Sequence, residues 1–201
     1  MAEDVITLIT ADHRRVESLF ERLKSKKGDQ KATVIELHAL LTAHARAEED
    51  RVYPGLEAHH GLEEHKEAEI LLDALKRADV GSPEFEQTLT ELAESVNHHV
   101  EEEESTLLPM LAKKVGQQGL RKLGTAFAER RQEELEALSA AEGGRASRVG
   151  RTGGTATGRG AGRTARGMTK AELYRRAQAA HIEGRSQMTK QQLEKALQRK
   201  S

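Results

Sequence analysis

VNHHVEEEESTLLP, residues 96–109, is the stretch on which the reading of this chain turns. Taken alone it is an acidic, solvated helix face. In its setting it is flanked by apolar residues at helical spacing, Phe85, Leu89, Leu92 and Val96 before it and Leu107 and Met110 after it. Steps of three or four residues from Val96 reach His99, Glu103 and Leu107. A histidine and a carboxylate therefore fall on the stripe that an amphipathic helix buries.

The arrangement recurs. LTAHARAEEDRVYP (41–54) aligns with VNHHVEEEESTLLP, setting His44 on His99, Glu48 on Glu103 and Pro54 on Pro109. TADHRRVESLFERL (10–23) aligns with LEEHKEAEILLDAL (62–75), setting His13 on His65 and Glu17 on Glu69. Each of four segments thus carries one His-x-x-x-Glu pair in phase with its apolar residues: Ile9, Val16 and Phe20; Leu37, Leu41 and Val52; Leu62 and Leu72; Val96 and Leu107. Glu17 lies slightly to one side of its stripe. Residues four apart stack on one helix face, so each pair can present both groups to a bundle axis.

Unpaired carboxylates in a core cost several kcal/mol each, and no matching basic residues lie on these faces. A multivalent cation neutralises the carboxylates and uses the imidazoles as ligands. Histidine and carboxylate without sulfur suits iron or manganese, with zinc possible. His38, His59, His60 and His98 read as surface residues. Glu49, Glu101, Glu102 and Glu104 read as the solvated face, and Tyr53 as core.

Around these pairs, residues 1–142 read as helical throughout. Segments of about 4–23, 32–53, 62–77 and 83–115 are separated by SKKGDQ, Pro54-Gly55 and DVGSP, and a fifth segment follows GQQG. Short connections favour antiparallel neighbours. The expected fold is all-α: an up-down-up-down four-helix bundle with a fifth C-terminal helix. The chain has no cysteine, which excludes disulfides, thiolate metal sites and thiol catalysis. It shows no apolar run of membrane-spanning length and no signal-peptide pattern, so the expected location is the cytoplasm.

The net charge of −1 hides an asymmetry. Residues 143–201 carry fourteen Lys and Arg against three acidic residues, a net of +11, which leaves −12 on residues 1–142. Residues 143–167 hold nine Gly, six Arg and no acidic residue, the composition of a flexible cationic linker. MTKAEL (168–173) returns as MTKQQL (188–193), and both fit a capping box. The expected tail, 168–201, is two short helices joined by an extended segment. Basic tails commonly meet nucleic acid.

DHRRVE, HARAEEDRVYP, EEHKEAE and HHVEEEESTLLP, in that order over residues 4–115, resemble the hemerythrin-like, HHE cation-binding family. Ferritin-like di-iron bundles are less similar, because they place Glu before His at a three-residue step. The resemblance implies a four-helix bundle holding two non-haem irons bridged by an oxygen species and by carboxylates, with manganese or zinc as lesser alternatives. It makes His13, His44, His65 and His99 ligands and Glu48 and Glu103 bridging carboxylates. Glu69 stands where the oxygen carriers of the family have a further histidine, and is a candidate metal ligand here. The carriers also place an Asp five residues after the last histidine, whereas this chain has Glu103 at four and Glu104 at five. Both departures enrich the site in carboxylate, which favours the ferric state and sensing or consumption of an oxidant over reversible oxygen carriage. The tail is similar to the SAP-like or Rho-N-terminal-like helix-extended-helix module, which implies a small core of Leu173, Ala177, Ile182, Leu193 and Leu197, nucleic-acid binding with Lys170, Arg175, Arg176, Arg185 and Lys190 facing phosphate, and a place at the nucleoid.

Three functions follow. The first is a di-iron protein that binds or senses oxygen, redox or iron status and is tethered to nucleic acid. The second is a di-iron enzyme removing peroxide or nitric oxide. The third is a nucleoid-associated protein whose metal is purely structural.

Overall fold

The computed structural model describes residues 3–56, 59–149, 173, 176, 177, 180, 182 and 188–200. It forms two compact units, Met1–Gly144 and Arg145–Ser201. The elements of the first are helical among the described residues: α1 (Val5–Lys24), α2 (Gln30–Arg51), a 3-10 turn (Tyr53–Gly55), α3 (His59–Arg77), α4 (Pro83–Glu102), a π-turn (Glu103–Leu107) and α5 (Leu108–Val149), whose last residues run past the end of that unit. The helices close into a ring, α1 on α2, α2 on α3, α3 on α4 and α4 on α1.

Local chemistry sets the helix starts. Asp4, Asp29 and Ser82 are N-caps whose side chains accept from the amides of Thr7, Ala32 and Phe85. Such a cap contributes about 1 kcal/mol, and Pro83 supplies the preset backbone angle of a first turn. Between α1 and α2 the chain reverses through Lys26 and Gly28, both with positive φ.

The apolar core comes in two pieces. One contains Val16, Leu19, Phe20, Leu37, Leu40, Leu72, Leu92 and Val96. The other contains Val5, Ile9, Ala47, Val52, Tyr53, Leu108, Leu111 and Phe127. His13 lies in sequence between Ile9 and Val16, His44 between Leu40 and Ala47, and His99 between Val96 and Leu108. A polar layer thus divides the apolar stripes at the level where each helix carries its histidine.

The expected fourth helix of about 83–115 is interrupted at Glu103 by the π-turn, then continues as the first part of α5. At Gly116 (φ 61) the helical path breaks, at the start of the GQQG signal. The remainder of α5 is the expected fifth helix, and Leu120 and Phe127 join the second core piece. It packs closely on the start of the chain, since a Cβ on Gly124 would collide with the carbonyl of Glu3. The helix extends to Val149, past Gly143 where the linker was expected to begin. No helix among the described residues is long and apolar enough to cross a membrane.

In the second unit, α6 (Lys190–Lys200) opens with the expected capping box. The Thr189 amide donates to Gln192 Oε1 at 2.7 Å and the Gln192 amide to Thr189 Oγ1 at 3.3 Å. Leu173, Ala177, Ile182 and Leu193 are buried, as expected of the tail's core, and Leu197 is partly so. Arg176 and Lys190 are exposed. Lys170, Arg175 and Arg185, with most of the linker and of the first tail helix, lie outside the described residues.

Candidate metal centre

Six of the seven expected ligands converge. His13, His44, Glu48 and Glu103 bring one donor atom each within 4.8 Å of one another, and so do Glu48, His65 and His99. Glu48 belongs to both groups. Its Oε1 lies 3.1 Å from His44 Nε2 and its Oε2 lies 3.3 Å from His65 Nε2. Glu103 Oε2 lies 3.3 Å from His13 Nε2 and 3.8 Å from His99 Nε2, so it too spans the groups. Donors held about 2.1 Å from one cation stand about 3 Å apart when adjacent, and these separations fit that spacing.

The outer nitrogens identify the tautomers. His13 Nδ1 donates to Glu104, His44 Nδ1 to Asp12, His65 Nδ1 to Glu49 and His99 Nδ1 to Glu64, at 2.8, 3.3, 3.2 and 2.9 Å. An ionised carboxylate only accepts, so each Nδ1 carries a proton, and Nε2 is left as the nitrogen that faces inward and can ligate a cation. Metal-binding histidines are braced in this way, and the brace fixes both tautomer and ring orientation.

The consequence is a buried cage of acceptors. His13 Nε2, His44 Nε2, Glu48 Oε1 and both oxygens of Glu103 have no hydrogen-bond partner. His65 Nε2 and His99 Nε2 meet at 3.3 Å. Lone pairs and two carboxylates, withdrawn from water and facing one another, are costly unless positive charge sits among them. The donor set, imidazole and carboxylate without sulfur, suits iron or manganese. The residues present therefore fit a pair of cations.

Proton affinities carry the same signature. Burial alone would lower the His44 pKa, but the Glu48 charge, the hydrogen bond that His44 donates to Asp12 and the close approach of Glu48 raise it to about 10. For His65, burial is likewise outweighed by Glu48 and Glu49, to about 9. Burial would raise Glu48, yet His44 and His65 hold it well below the usual carboxylate range. Glu103 is pushed up by burial and by the Glu48 charge.

Glu69, also expected as a ligand, joins neither group. Its side chain is 63% exposed and pairs with Arg46 at 3.9 Å. It sits one helical turn beyond His65, where α3 has turned it toward the mouth of a cavity instead of the bundle axis. Glu17 is exposed and pairs with Arg14. Glu49 and Glu104, expected on the solvated face, instead brace His65 and His13. Asp12 and Glu64 were not singled out in the sequence, although each immediately precedes a ligand histidine. Here lay the missed signal, because the internal repeat extends to the braces. Asp12 and Glu64 precede His13 and His65, and Glu49 and Glu104 follow Glu48 and Glu103.

Tyr53 is core, as expected, but it is also part of the site. Its hydroxyl lies 3.4 Å from Glu48 Oε2 and 3.4 Å from His65 Nε2, and its ring stacks on His65. Gly61 makes the room, since a Cβ there would stand 3.0 Å from the phenol oxygen. The repeat places Leu108 where Tyr53 stands in the other half. His98 is exposed, as expected. It forms a surface group with Glu64 and Glu102. The side chains of His59 and His60 lie outside the described residues.

A cavity of about 60 Å³ reaches the four histidines. Val16, Leu41, Leu72, Val96 and Val100 wall it, with Arg46, Glu49 and Glu69 also on its lining.

A helical bundle with two linked His/Glu groups across its axis is the architecture of a cation-binding protein. The hemerythrin HHE cation binding domain matches residues 4–111, and the chain belongs to that family. It is 31% identical over 134 residues to a protein of Nostoc sp. named DNA nickase, covering 62% of this chain and 37% of that protein. It is 28% identical over 131 residues to a hemerythrin-like protein of Schizosaccharomyces pombe, covering 59% of this chain and 64% of the relative. The chain thus spans less than two thirds of either relative. No solved structure matches.

Proposed function

We propose that the bundle binds two iron ions and uses them to bind or sense a small oxidant, with the basic tail tethering the protein to nucleic acid. The observation that carries this reading is the cage of buried imidazole nitrogens and carboxylate oxygens, braced from outside at all four histidines. One position would take His13 and His44, the other His65 and His99, with Glu48 and Glu103 shared. A di-iron pair would supply the capacity to bind and exchange electrons with dioxygen, peroxide or nitric oxide.

The chain's own residues do the rest. The four Nδ1 braces hold the rings in one tautomer and orientation. The phenol of Tyr53 places its proton between Glu48 Oε2 and His65 Nε2. The aliphatic walls of the cavity favour a small apolar guest such as dioxygen or nitric oxide. A purely structural metal would need no such access, so the cavity favours a ligand-binding centre. An enzyme removing peroxide or nitric oxide uses the same centre and differs in turnover.

Two observations support the nucleic-acid tether: the net charge of +11 over residues 143–201, and the exposure of Arg176 and Lys190. The name of the Nostoc relative points the same way.

The deciding experiment is elemental analysis of the full-length protein after anaerobic iron loading. About two irons per chain is the expected result for paired ligand sets of this kind. An azide-induced change in the iron spectrum would then reveal an open position. No retained iron in a folded protein would refute the reading.

A further inference from the structure

The fifth helix lies beyond residue 111, where the family match ends, yet it reaches the metal centre twice. Arg131 donates from Nε and Nη2 to the two oxygens of Asp12, both at 2.6 Å. Asp12 is buried, and its Oδ2 is also the acceptor for His44 Nδ1. Four residues earlier on the same face, Phe127 sets its ring edge-on to His44, with centroids 5.9 Å apart. The neighbouring Arg130 pairs with Asp50 and Glu134 instead.

We infer that the fifth helix is a working part of the metal centre: Arg131, acting through Asp12, and Phe127 hold His44 in place, so that docking of this helix and cation binding at the His13/His44 position reinforce each other. A bidentate guanidinium–carboxylate pair is rigid as well as strong. Here it orients the one acceptor that fixes the His44 tautomer. Phe127 packs against the same ring, and Gly124, one turn earlier, permits the close approach of this helix to Glu3–Val5. The two contacts therefore act on one imidazole.

Coupling of this kind is reciprocal. If the docked helix strengthens binding of the cation by some factor, the cation strengthens docking by the same factor. Arg131 is thus a positioning residue, and metal occupancy is converted into the stability of the helix that ends the bundle unit. This inference rests on the di-iron reading above and deepens it, because it gives the metal state a mechanical output.

The test uses the full-length protein. Ferrous iron is titrated anaerobically against a chelator, and amide hydrogen exchange is followed over residues 120–141 with and without iron. In the wild type, exchange along this helix should slow on iron loading. Arg131→Met should weaken one of two iron-binding steps by about 10- to 100-fold, the usual effect of losing a brace behind a ligand, and should blunt the slowing. Arg131→Lys should restore part of both, and Arg130→Met should behave as wild type. Unchanged exchange in the wild type on iron loading would overturn the inference even if every variant misfolded. So would wild-type iron affinity at both steps in a folded Arg131→Met protein. Failure of the wild type to bind iron at all would instead bring down the di-iron reading, and this inference with it.

Discussion

His65 and His99 face each other through their inner nitrogens at 3.3 Å, while Glu49 and Glu64 hold their outer nitrogens. When both rings are neutral, with their protons on the outside, two lone pairs point at one another in a buried space. Glu48 and Glu103 are themselves acceptors, and the Tyr53 hydroxyl, 3.4 Å from His65 Nε2, also faces Glu48. The arrangement is one that a cation would stabilise and that an ordinary core would not tolerate. From it several outcomes follow.

Glu48 belongs to both groups, and its loss should be felt at both positions. Glu48→Ala is expected to remove both irons together. Glu104→Gln, which leaves every inner donor in place and weakens the brace on His13 along with a surface pair to Arg14, should cost about 10- to 100-fold in affinity. Elemental analysis with chelator competition distinguishes the two. Equal effects of the two substitutions would argue against a shared bridging carboxylate.

Tyr53 stands close enough to Glu48 and His65 to serve as a donor to the second cation. Burial, together with the Glu48 charge, pushes its pKa far up, so the phenol stays neutral unless a metal displaces its proton. If ferric iron does so, the loaded protein should show a visible phenolate-to-iron charge-transfer band. Tyr53→Phe should abolish that band while iron content is retained. Gly61→Ala should shift or weaken it by crowding the phenol. An identical visible spectrum in Tyr53→Phe would restrict Tyr53 to a core role.

Protons and cations compete for the same inner nitrogens. In the metal-free protein His44 and His65 have pKa values raised from 6.5 to about 10 and about 9. A raised value stabilises the fold by an amount that is fully present below pH 6.5 and is lost as pH rises through about 9 to 10. The metal-free bundle should therefore lose stability over that window. Iron binding runs in the opposite sense, because the rings must be neutral to ligate, so affinity should weaken as pH falls from 10 toward 6. Thermal melts of metal-free and loaded protein across this range test both signs. Iron affinity independent of pH would contradict histidine ligation.

The core pieces on either side of the polar layer should be structurally independent of ligand chemistry. Leu92→Ala, at a fully buried position of the first piece, should cost about 2–5 kcal/mol. Denaturation of the metal-free protein measures it. A folded variant should still take up iron at wild-type stoichiometry.

If the tail meets nucleic acid, phosphate contacts should dominate and affinity should fall steeply with salt, with little sequence preference. Arg176→Glu with Lys190→Glu, both at exposed positions, should weaken binding uniformly across sequences and flatten the salt dependence. Retention of full affinity would show that these two residues make no phosphate contact.

Much of the site was legible in the chain because helix periodicity is a local property. Histidine and glutamate four residues apart share a face wherever the backbone is helical, so His13, His44, Glu48, His65, His99 and Glu103 could be placed on buried stripes without any partner helix. Glu69 satisfied the same local rule and still ended outside, which shows the limit of the rule. Periodicity defines a stripe but not which part of it a neighbouring helix covers.

The sequence by itself determined the helical architecture, the polar layer and the donor chemistry. These follow from residue spacing, capping residues and the cost of burying charge. Tertiary structure decided the bracing and the asymmetry. Asp12 meets His44 of α2, Glu64 meets His99 of α4, and Glu49 meets His65 of α3. Glu103 and Glu104, in the π-turn, address the two nitrogens of the His13 ring, as Glu48 and Glu49 of α2 address those of His65. Likewise, Tyr53 enters through the turn that ends α2, and Arg131 through a helix 119 residues away from Asp12. The repeat marks Asp12, Glu49, Glu64 and Glu104, but which histidine each one meets depends on how separate helices cross and rotate against one another. Packing sets that geometry, and helix periodicity alone does not encode it.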